Sequence, residues 1–327
     1  MVLTGSHGYI EYGEESSYGG GASTMRAFGL EQKLNSLSFK NNQIALSQLN
    51  SIEVKSFAYG KNEGTGSVDF VLSNPWIFDT ILGNNDKSGS ASDYTYTWSS
   101  DATALSADNT EVKTPKPFAI DVGLDIANNV TDELRHLKGA IFQSFNIKSS
   151  INETVKCTTD FTYGIIDTFG TSLGTPASDD INFPYTFAHA ALYIPSGASD
   201  PVAEIQDFDI TFNCNSELLY QQGSPNAVGA FRKLFEMTGK FNAGYIDKTQ
   251  LQRVLDRSET ASLKITFTNG LSGANEKAII LTFTGVGVSE HSYNIAPAEP
   301  IFQDLTFQMR SVSVTANNGI SSIPASQ

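Results

Sequence analysis

The chain has 327 residues, a length that permits two domains of ordinary size. Hydrophobic residues make up 40% and charged residues only 17%, the composition of a folded protein. The formal net charge of −14 argues against binding to DNA or anionic lipid through a basic surface. A secretory signal and a transmembrane helix are not expected, since the N-terminus lacks basic and apolar regions and no run of about 18 apolar residues occurs.

In chain order, residues 1–24 are predicted to form a flexible N-terminal arm, because they include the glycine-rich stretch YGGGA. A first domain is predicted at 25–170, a linker at 171–184 and a second domain at 185–327, which ends in a short C-terminal tail. Within the first domain, the polar segment at about 84–113 is predicted to be an inserted loop.

Alternating apolar residues predict half-buried strands in both domains, so a mainly β fold is expected. The clearest segments are SVDFVL, FAIDVGLDI, FDITF and SLKITF. Their apolar faces are predicted to be buried: Val68, Phe70 and Leu72; Phe118, Ile120, Val122, Leu124 and Ile126; Phe208, Ile210 and Phe212; and Leu263, Ile265 and Phe267.

Two short helices are predicted, one in each domain. The first is SNPWIFDTILG, with Ser73 or Asn74 as the cap, Pro75 in the first turn and Gly83 at the end. The second is DKTQLQRVL, with Asp247 in the equivalent capping position.

The two domains are interpreted as a tandem duplication. A shift of 173 residues places 37–82 on 210–255, with Phe39 on Phe212 and Asn42 on Asn215. A second shift of 146 residues places Gly139 on Gly285. The alignment shift decreases from 173 to 146 residues between these two regions. The first copy must therefore carry extra residues, and these are expected at 84–113.

Residues with catalytic or metal-binding chemistry are not brought together by any motif. The segment NAGYIDKTQLQRVL resembles the end of a calcium-binding loop, but Gly239, Phe241, Ala243 and Gln250 would occupy the ligand positions and none carries a carboxylate. No catalytic, cofactor-binding or metal-binding residue is therefore predicted, and the chain is not expected to be an enzyme. Asn84, Asn85, Asp86 and Asp93 form a weak candidate for a surface cation, and Cys157 and Cys214 are predicted to be buried thiols.

The sequence resembles the tail tube (major tail) proteins of tailed viruses of bacteria and archaea. The segments that carry this resemblance are GYIEYGEESSYG followed by AFGLEQKLNSLSF, GTGSVDFVLSNPWIFDTILG, ELRHLKGAIFQSFNIKSSINETVKCTTDFTYG, and PVAEIQDFDITFNCNSELLYQQGSPNAVGAFRKLFEMTGKF. The resemblance implies two tandem β-sandwich or barrel domains, each with one short flanking helix. It covers most of the chain.

The resemblance also implies a structural virion protein without a cofactor. Such subunits assemble into stacked rings that form a hollow tube for DNA delivery, and a duplicated member would form trimers with pseudo-sixfold symmetry. The implied partners are other copies of the chain, the tape measure protein inside the tube, the tail terminator, and baseplate or tip proteins; no membrane is implied. Assembly would occur in the host cytoplasm, and the insert at 84–113 would appear three times in each ring.

Two alternatives remain open from the sequence. One is the inner tube of a contractile injection system or another ring-forming virion protein. The other is a soluble two-domain module that binds carbohydrate or a host surface, in which exposed aromatic residues would stack on the ligand: Trp76, Tyr94, Tyr96 and Trp98.

Overall fold

Antiparallel strands form most of the regular structure in this computed structural model, which confirms the predicted mainly β fold. The structure describes residues 8–49, 52–83, 86–90, 93–100, 116–124, 133–167, 170, 183–199, 201, 205–244, 251–252, 255, 261–271, 276–293, 295 and 301–318.

The described residues of the first part of the chain form eleven strands and one helix. They are β1 (Gly8–Glu14), β2 (Leu30–Lys40), β3 (Ile44–Ser47), β4 (Val54–Ala58), β5 (Glu63–Val71), α1 (Ile77–Leu82), β6 (Asp86–Ser90), β7 (Asp93–Ser99), β8 (Phe118–Leu124), β9 (Glu133–Ser150), β10 (Lys156–Tyr163) and β11 (Ile165–Ile166).

In the second part, the described residues form a 3-10 turn at Phe187–His189 and then nine strands. They are β12 (Ala190–Tyr193), β13 (Ile205–Asn213), β14 (Ser216–Tyr220), β15 (Ala227–Arg232), β16 (Glu236–Gly244), β17 (Ala261–Thr268), β18 (Lys277–Tyr293), β19 (Phe302–Met309) and β20 (Ser311–Asn318). Residues 251, 252 and 255 of the second predicted helix are helical, and 245–250 lie outside the described residues.

The two parts have the same strand topology. In the first repeat, β1, β8, β9 and β11 form one sheet and β2, β5, β10 and β9 form another. In the second repeat, β12, β17, β18 and β20 match the first sheet, and β13, β16, β19 and β18 match the other. Each strand of these four sheets therefore has a counterpart at the same position in the other repeat.

One long strand in each repeat passes from the first sheet into the second. These strands are β9 and β18, and each bends at a glycine with a positive φ angle, Gly139 at 62° and Gly285 at 60°. A side chain at Gly139 would also collide with the Tyr18 ring, since an added Cβ would lie 2.5 Å from it. Gly139 and Gly285, which align in the sequence, thus allow the same bend in both repeats.

Buried side chains from the sheets of both repeats form one continuous hydrophobic core. The predicted apolar faces are buried at all the positions that the structure describes, apart from Leu124, which is half-buried; Ile126 lies outside the described residues. The alternation arises because successive side chains of a strand point to opposite faces of the sheet.

The predicted flexible arm at 1–24 is wrong for residues 8–24. Strand β1 pairs with β8 along its whole length, from Gly8 opposite Leu124 to Glu14 opposite Phe118. The glycine-rich stretch then folds around the buried Glu15, whose carboxylate accepts hydrogen bonds from the backbone N–H groups of Gly19 at 2.8 Å and Gly21 at 3.1 Å. These bonds hold the segment against the sheet.

The predicted inserted loop at 84–113 is wrong for the residues that form β6 and β7. This hairpin extends a sheet of the second repeat, because β7 pairs with β20 from Tyr94 opposite Asn318 to Ser99 opposite Ser313. Residues 101–113 lie outside the described residues. The insert therefore binds the two repeats together.

Helix α1 confirms the first predicted helix, with Gly83 at its end, but the predicted cap is wrong. Helix α1 has no side-chain cap, and Asn74 instead accepts a hydrogen bond from the N–H of Trp76 at 3.2 Å, before the helix begins. All six helical residues are buried. Among the described helical segments, none has the length and hydrophobicity that crossing a bilayer requires.

Candidate assembly surfaces

The eight strands of the second sheets form one continuous sheet across the two repeats. Their order is β2, β5, β10, β9, β13, β16, β19 and β18. Within the described part of the chain, the outer edge of β2 and the outer edge of β18 at residues 287–293 pair with no further strand. A strand that lies at the edge of a sheet can pair with a strand of another chain.

The junction between the repeats shows how such edges join. Strands β9 and β13 pair in antiparallel register, with Asn146 opposite Thr211 and Phe145 opposite Phe212. The Phe145 and Phe212 rings lie 5.8 Å apart in the core, and Nδ2 of Asn146 donates to Oγ1 of Thr211 at 2.9 Å on the other face. The junction is thus apolar on one face and hydrogen-bonded on the other.

The face of this sheet opposite the core is polar along its full width. Cross-strand hydrogen bonds connect its side chains, including Oγ of Ser144 to Asp160 at 2.7 Å and Nδ2 of Asn242 to Asp304 at 2.7 Å. Carboxylates outnumber lysines on this polar face: the carboxylates are Glu63, Asp69, Asp160, Asp207, Asp209, Glu236, Glu290 and Asp304, and the lysines are Lys33, Lys40, Lys148, Lys156 and Lys240.

The carboxylates on the polar face are close enough to influence one another. The pKa of Asp207 is raised, first because burial disfavours its charged form and then because Asp304 and Asp209 lie nearby. A backbone hydrogen bond from Asn242 partly opposes this rise. The centre of the polar face therefore has a negative potential.

A β-hairpin projects from each repeat after the first strand of the continuous sheet. The first hairpin is β3 with β4, and the second hairpin is β14 with β15. The second hairpin is docked on the first repeat, where Oη of Tyr220 donates to the carbonyl of Asn62 at 2.6 Å. The first hairpin is exposed along nearly its entire length.

A comparison with known protein families shows to which family this chain belongs. The family model described as Phage tail tube protein matches residues 5–309, which is nearly the whole chain. The chain belongs to the phage tail tube protein family. Comparison with curated proteins finds no match. Membership makes this chain a structural component of the virion tail, a role whose partners are its own copies and other tail proteins.

The aromatic residues that were candidates for binding carbohydrate belong to the core of this family member. The side chains of Trp76, Tyr96 and Trp98 are buried, and Nε1 of Trp98 donates to the buried Asp79 of α1 at 2.6 Å. Tyr94 is half-buried beside Tyr96. The hypothesis that these four residues stack on a carbohydrate is therefore wrong, because their rings already pack against one another and α1.

The histidines of this family member that the structure describes have local partners. Nδ1 of His136 lies 2.6 Å from Asp121, His189 closes the 3-10 turn against Thr186, and His291 lies 3.1 Å from Gln303. His7 and the candidate cation ligands Asn84 and Asn85 lie outside the described residues. Asp86 and Asp93 are ends of β6 and β7. The described residues hold no group of three or more metal-ligating side chains.

Both cysteines are buried free thiols, as predicted. Burial raises the pKa of Cys214 to about 11, although Arg232 acts in the opposite direction, and burial raises the pKa of Cys157 well above its ordinary value. Because the thiolate is the reactive form, the native protein should not react with a thiol reagent at pH 8. We expect both thiols to react with Ellman's reagent only in denaturant; rapid reaction of either thiol in the native protein would contradict the burial.

Proposed function

We propose that this tail tube subunit assembles by pairing its two open strand edges. Strand β18 of one copy pairs with β2 of the next, and three copies close into a ring with pseudo-sixfold symmetry. The rings stack into the hollow tail tube through which viral DNA is delivered. The supporting observation is the internal β9–β13 junction: β18 is the counterpart of β9, and β2 is the counterpart of β13.

The internal junction gives the register between copies. The proposed duplication shifts β13 onto β2 by 173 residues and β9 onto β18 by 146, so the pair Asn213–Ser144 becomes Lys40–Glu290. In the same way, Phe39 lies opposite His291 and Ser38 opposite Ser292. This register places opposite charges together on the polar face and aromatic rings together on the core face, as cross-strand pairing favours.

Closure follows from the orientation of the edges. Pairing of β18 with β2 is head-to-tail, and such contacts produce a ring when the rotation closes. The two repeats of each chain are joined in the same way as the copies, so three chains supply six equivalent positions. Each edge is then satisfied, and this removes the aggregation hazard of an open sheet.

The polar face of the sheet suits the lumen of a tube for DNA. Its excess of carboxylates repels phosphate, and its hydroxyl and amide side chains are already hydrogen-bonded to neighbouring strands. DNA can therefore pass without sticking to a basic surface. The tape measure protein would occupy this lumen before DNA, and the terminator and baseplate or tip proteins would contact the tube ends.

A charge-swap experiment tests the register. Lys40→Glu and Glu290→Lys each place like charges opposite one another at every junction, and we expect each to raise the concentration needed for ring formation by about fivefold. The double variant restores the pair and should restore assembly. The measurement is the mass in solution together with negative-stain electron microscopy.

The control is Lys33→Glu, which changes the same charge on the same strand outside the paired segment and should leave assembly unchanged. Three-copy rings that stack into tubes would support the proposal. A monomer that never assembles at high concentration would overturn it, and rings in which the double variant is no better than the single variants would overturn the register.

A further inference from the structure

We propose that the first hairpin docks on the second repeat of a neighbouring copy of this chain, an inference that rests on the proposed ring. The two hairpins are built alike. Ile44 pairs with Ala58 in the first hairpin, and the equivalent residues Glu217 and Phe231 pair in the second. In both hairpins the strand register shifts just before the last pair. Since they leave their sheets at equivalent strands, they are expected to reach equivalent surfaces.

The point where each hairpin begins is also the same. Asn42 and Asn215 have positive φ angles of 45° and 46°. Each side-chain amide donates to a carbonyl 19 residues later, Lys61 and Leu234 respectively, at 2.8 Å in both cases. The direction in which each hairpin projects from its repeat is therefore fixed by the same local structure.

The docked second hairpin shows what the contact looks like. Asn62 of the first repeat donates from its N–H to the carbonyl of Pro225 at 2.7 Å and from its amide to Asn226 at 2.8 Å. At the other end, Nη2 of Arg232 donates to the carbonyl of Ile81 at 2.5 Å. Ala227 packs so closely on Gly164 that a Cβ there would lie 2.4 Å from it.

The same face of the first hairpin is apolar and uncovered in the single chain. Val54 is 49% exposed, whereas its counterpart Ala227 is 3% exposed in the docked hairpin. Phe57 and Tyr59 share this face and are 55% and 69% exposed. Of the sixteen exposed large hydrophobic residues in the described part of the chain, seven lie between residues 44 and 59, a concentration that marks a protein-binding surface: Ile44, Leu46, Leu49, Ile52, Val54, Phe57 and Tyr59.

The matching surface on the second repeat is apolar at three positions and has Arg310 in the place of Gly164. Leu234 and Phe235 take the places of Lys61 and Asn62, and Leu255 takes the place of Leu82. Leu234 and Leu255 are exposed. The polar contact between Asn62 and Pro225 inside the chain is thus replaced by an apolar one between copies, with Ile52 of the hairpin against Phe235 of its neighbour.

Disulfide trapping tests this contact separately from the ring. Ile52→Cys with Phe235→Cys should form covalent trimers and dimers on a non-reducing gel, and Ser38→Cys with Ser292→Cys should do so through the sheet junction. The native thiols are buried, so they do not interfere. The control pair is Ile52→Cys with Leu271→Cys; Leu271 is an exposed leucine that follows β17 and is not equivalent to any residue that contacts the docked hairpin, and this pair should not cross-link.

Each outcome decides a different point. Cross-linking of both test pairs supports the docking. Cross-linking through Ser38 and Ser292 alone overturns the docking and leaves the ring intact, whereas failure of both pairs overturns the ring and the docking with it. Cross-linking through Leu271 would place the hairpin on another surface and overturn the docking.

A second variant measures the contribution of the hairpin to assembly. Phe57→Asp should lower the assembled fraction about tenfold, because a charge replaces a ring at the centre of the contact. Val228→Asp, on the docked second hairpin, is the matched exposed control and should have little effect. Equal assembly of Phe57→Asp and the unmodified protein would contradict the docking.

Discussion

Phe39→Asp should leave the isolated chain folded and abolish ring formation. Phe39 is 42% exposed and stacks on Tyr163 with ring centroids 6.3 Å apart. Its counterpart Phe212 is 0% exposed, since it lies inside the junction against Phe145. Ring closure would cover Phe39 in the same way with His291 of the next copy. A carboxylate there loses its water without gaining a cation at a fixed position, at a cost of about 3 kcal/mol per junction.

That cost corresponds to a loss of more than about a hundredfold in affinity at each junction. Light scattering after size exclusion measures the assembly, and thermal unfolding checks that the monomer is intact. Leu271→Asp, at another exposed apolar residue, should assemble normally. Rings formed by Phe39→Asp at the concentration that suffices for the unmodified protein would show that Phe39 is outside the interface.

Strands that lie between core and solvent could be predicted from sequence because their apolar residues face the core and their polar residues face the solvent. Phe208, Ile210 and Phe212 alternate with polar residues on the open face of the sheet, so their pattern is visible without any knowledge of neighbours. The alignment of Asn42 with Asn215 was visible in the sequence as well, and both residues occupy the left-handed region, where asparagine is favoured over most residues.

Strand β1 and the hairpin of β6 and β7 could not be predicted in the same way. The partner of β1 begins at Phe118, about a hundred residues away, and the partner of β7 begins at Ser311, in the other repeat. Pairing over such distances leaves no local signal. Trp98 looked like an exposed aromatic residue because its polar neighbours suggested a loop, and only its contact with Asp79 of α1 explains its burial.

The open edges of β2 and β18 illustrate a further limit of the sequence. Edge and central strands of one sheet share the same alternation, so β2 and its counterpart β13 have similar patterns although only one is central. What distinguishes them is a half-exposed apolar residue, Phe39, where the central strand has a buried one. That difference becomes informative only when the topology is known.

Phe145→Ala should destabilise the folded chain by about 4 kcal/mol, the largest effect that we expect from a single substitution in the core. Phe145 is fully buried where β9, β13 and α1 meet, with ring centroids 5.8 Å from both Phe78 and Phe212. Truncation removes these ring contacts and leaves a cavity that neighbours on three separate elements cannot all move to fill. Chemical denaturation measures the free energy of unfolding.

A double-mutant cycle shows whether Phe145 and Phe212 hold the two repeats together. If the pair is the main apolar contact across the β9–β13 junction, Phe212→Ala adds less in the Phe145→Ala background than alone, with a coupling of about 1 kcal/mol. Phe57→Ala, at an exposed phenylalanine, should change the free energy of unfolding of the monomer by less than about 0.5 kcal/mol. Strict additivity would mean that each ring is stabilised within its own repeat, and the internal junction would then be a weaker guide to the contact between copies.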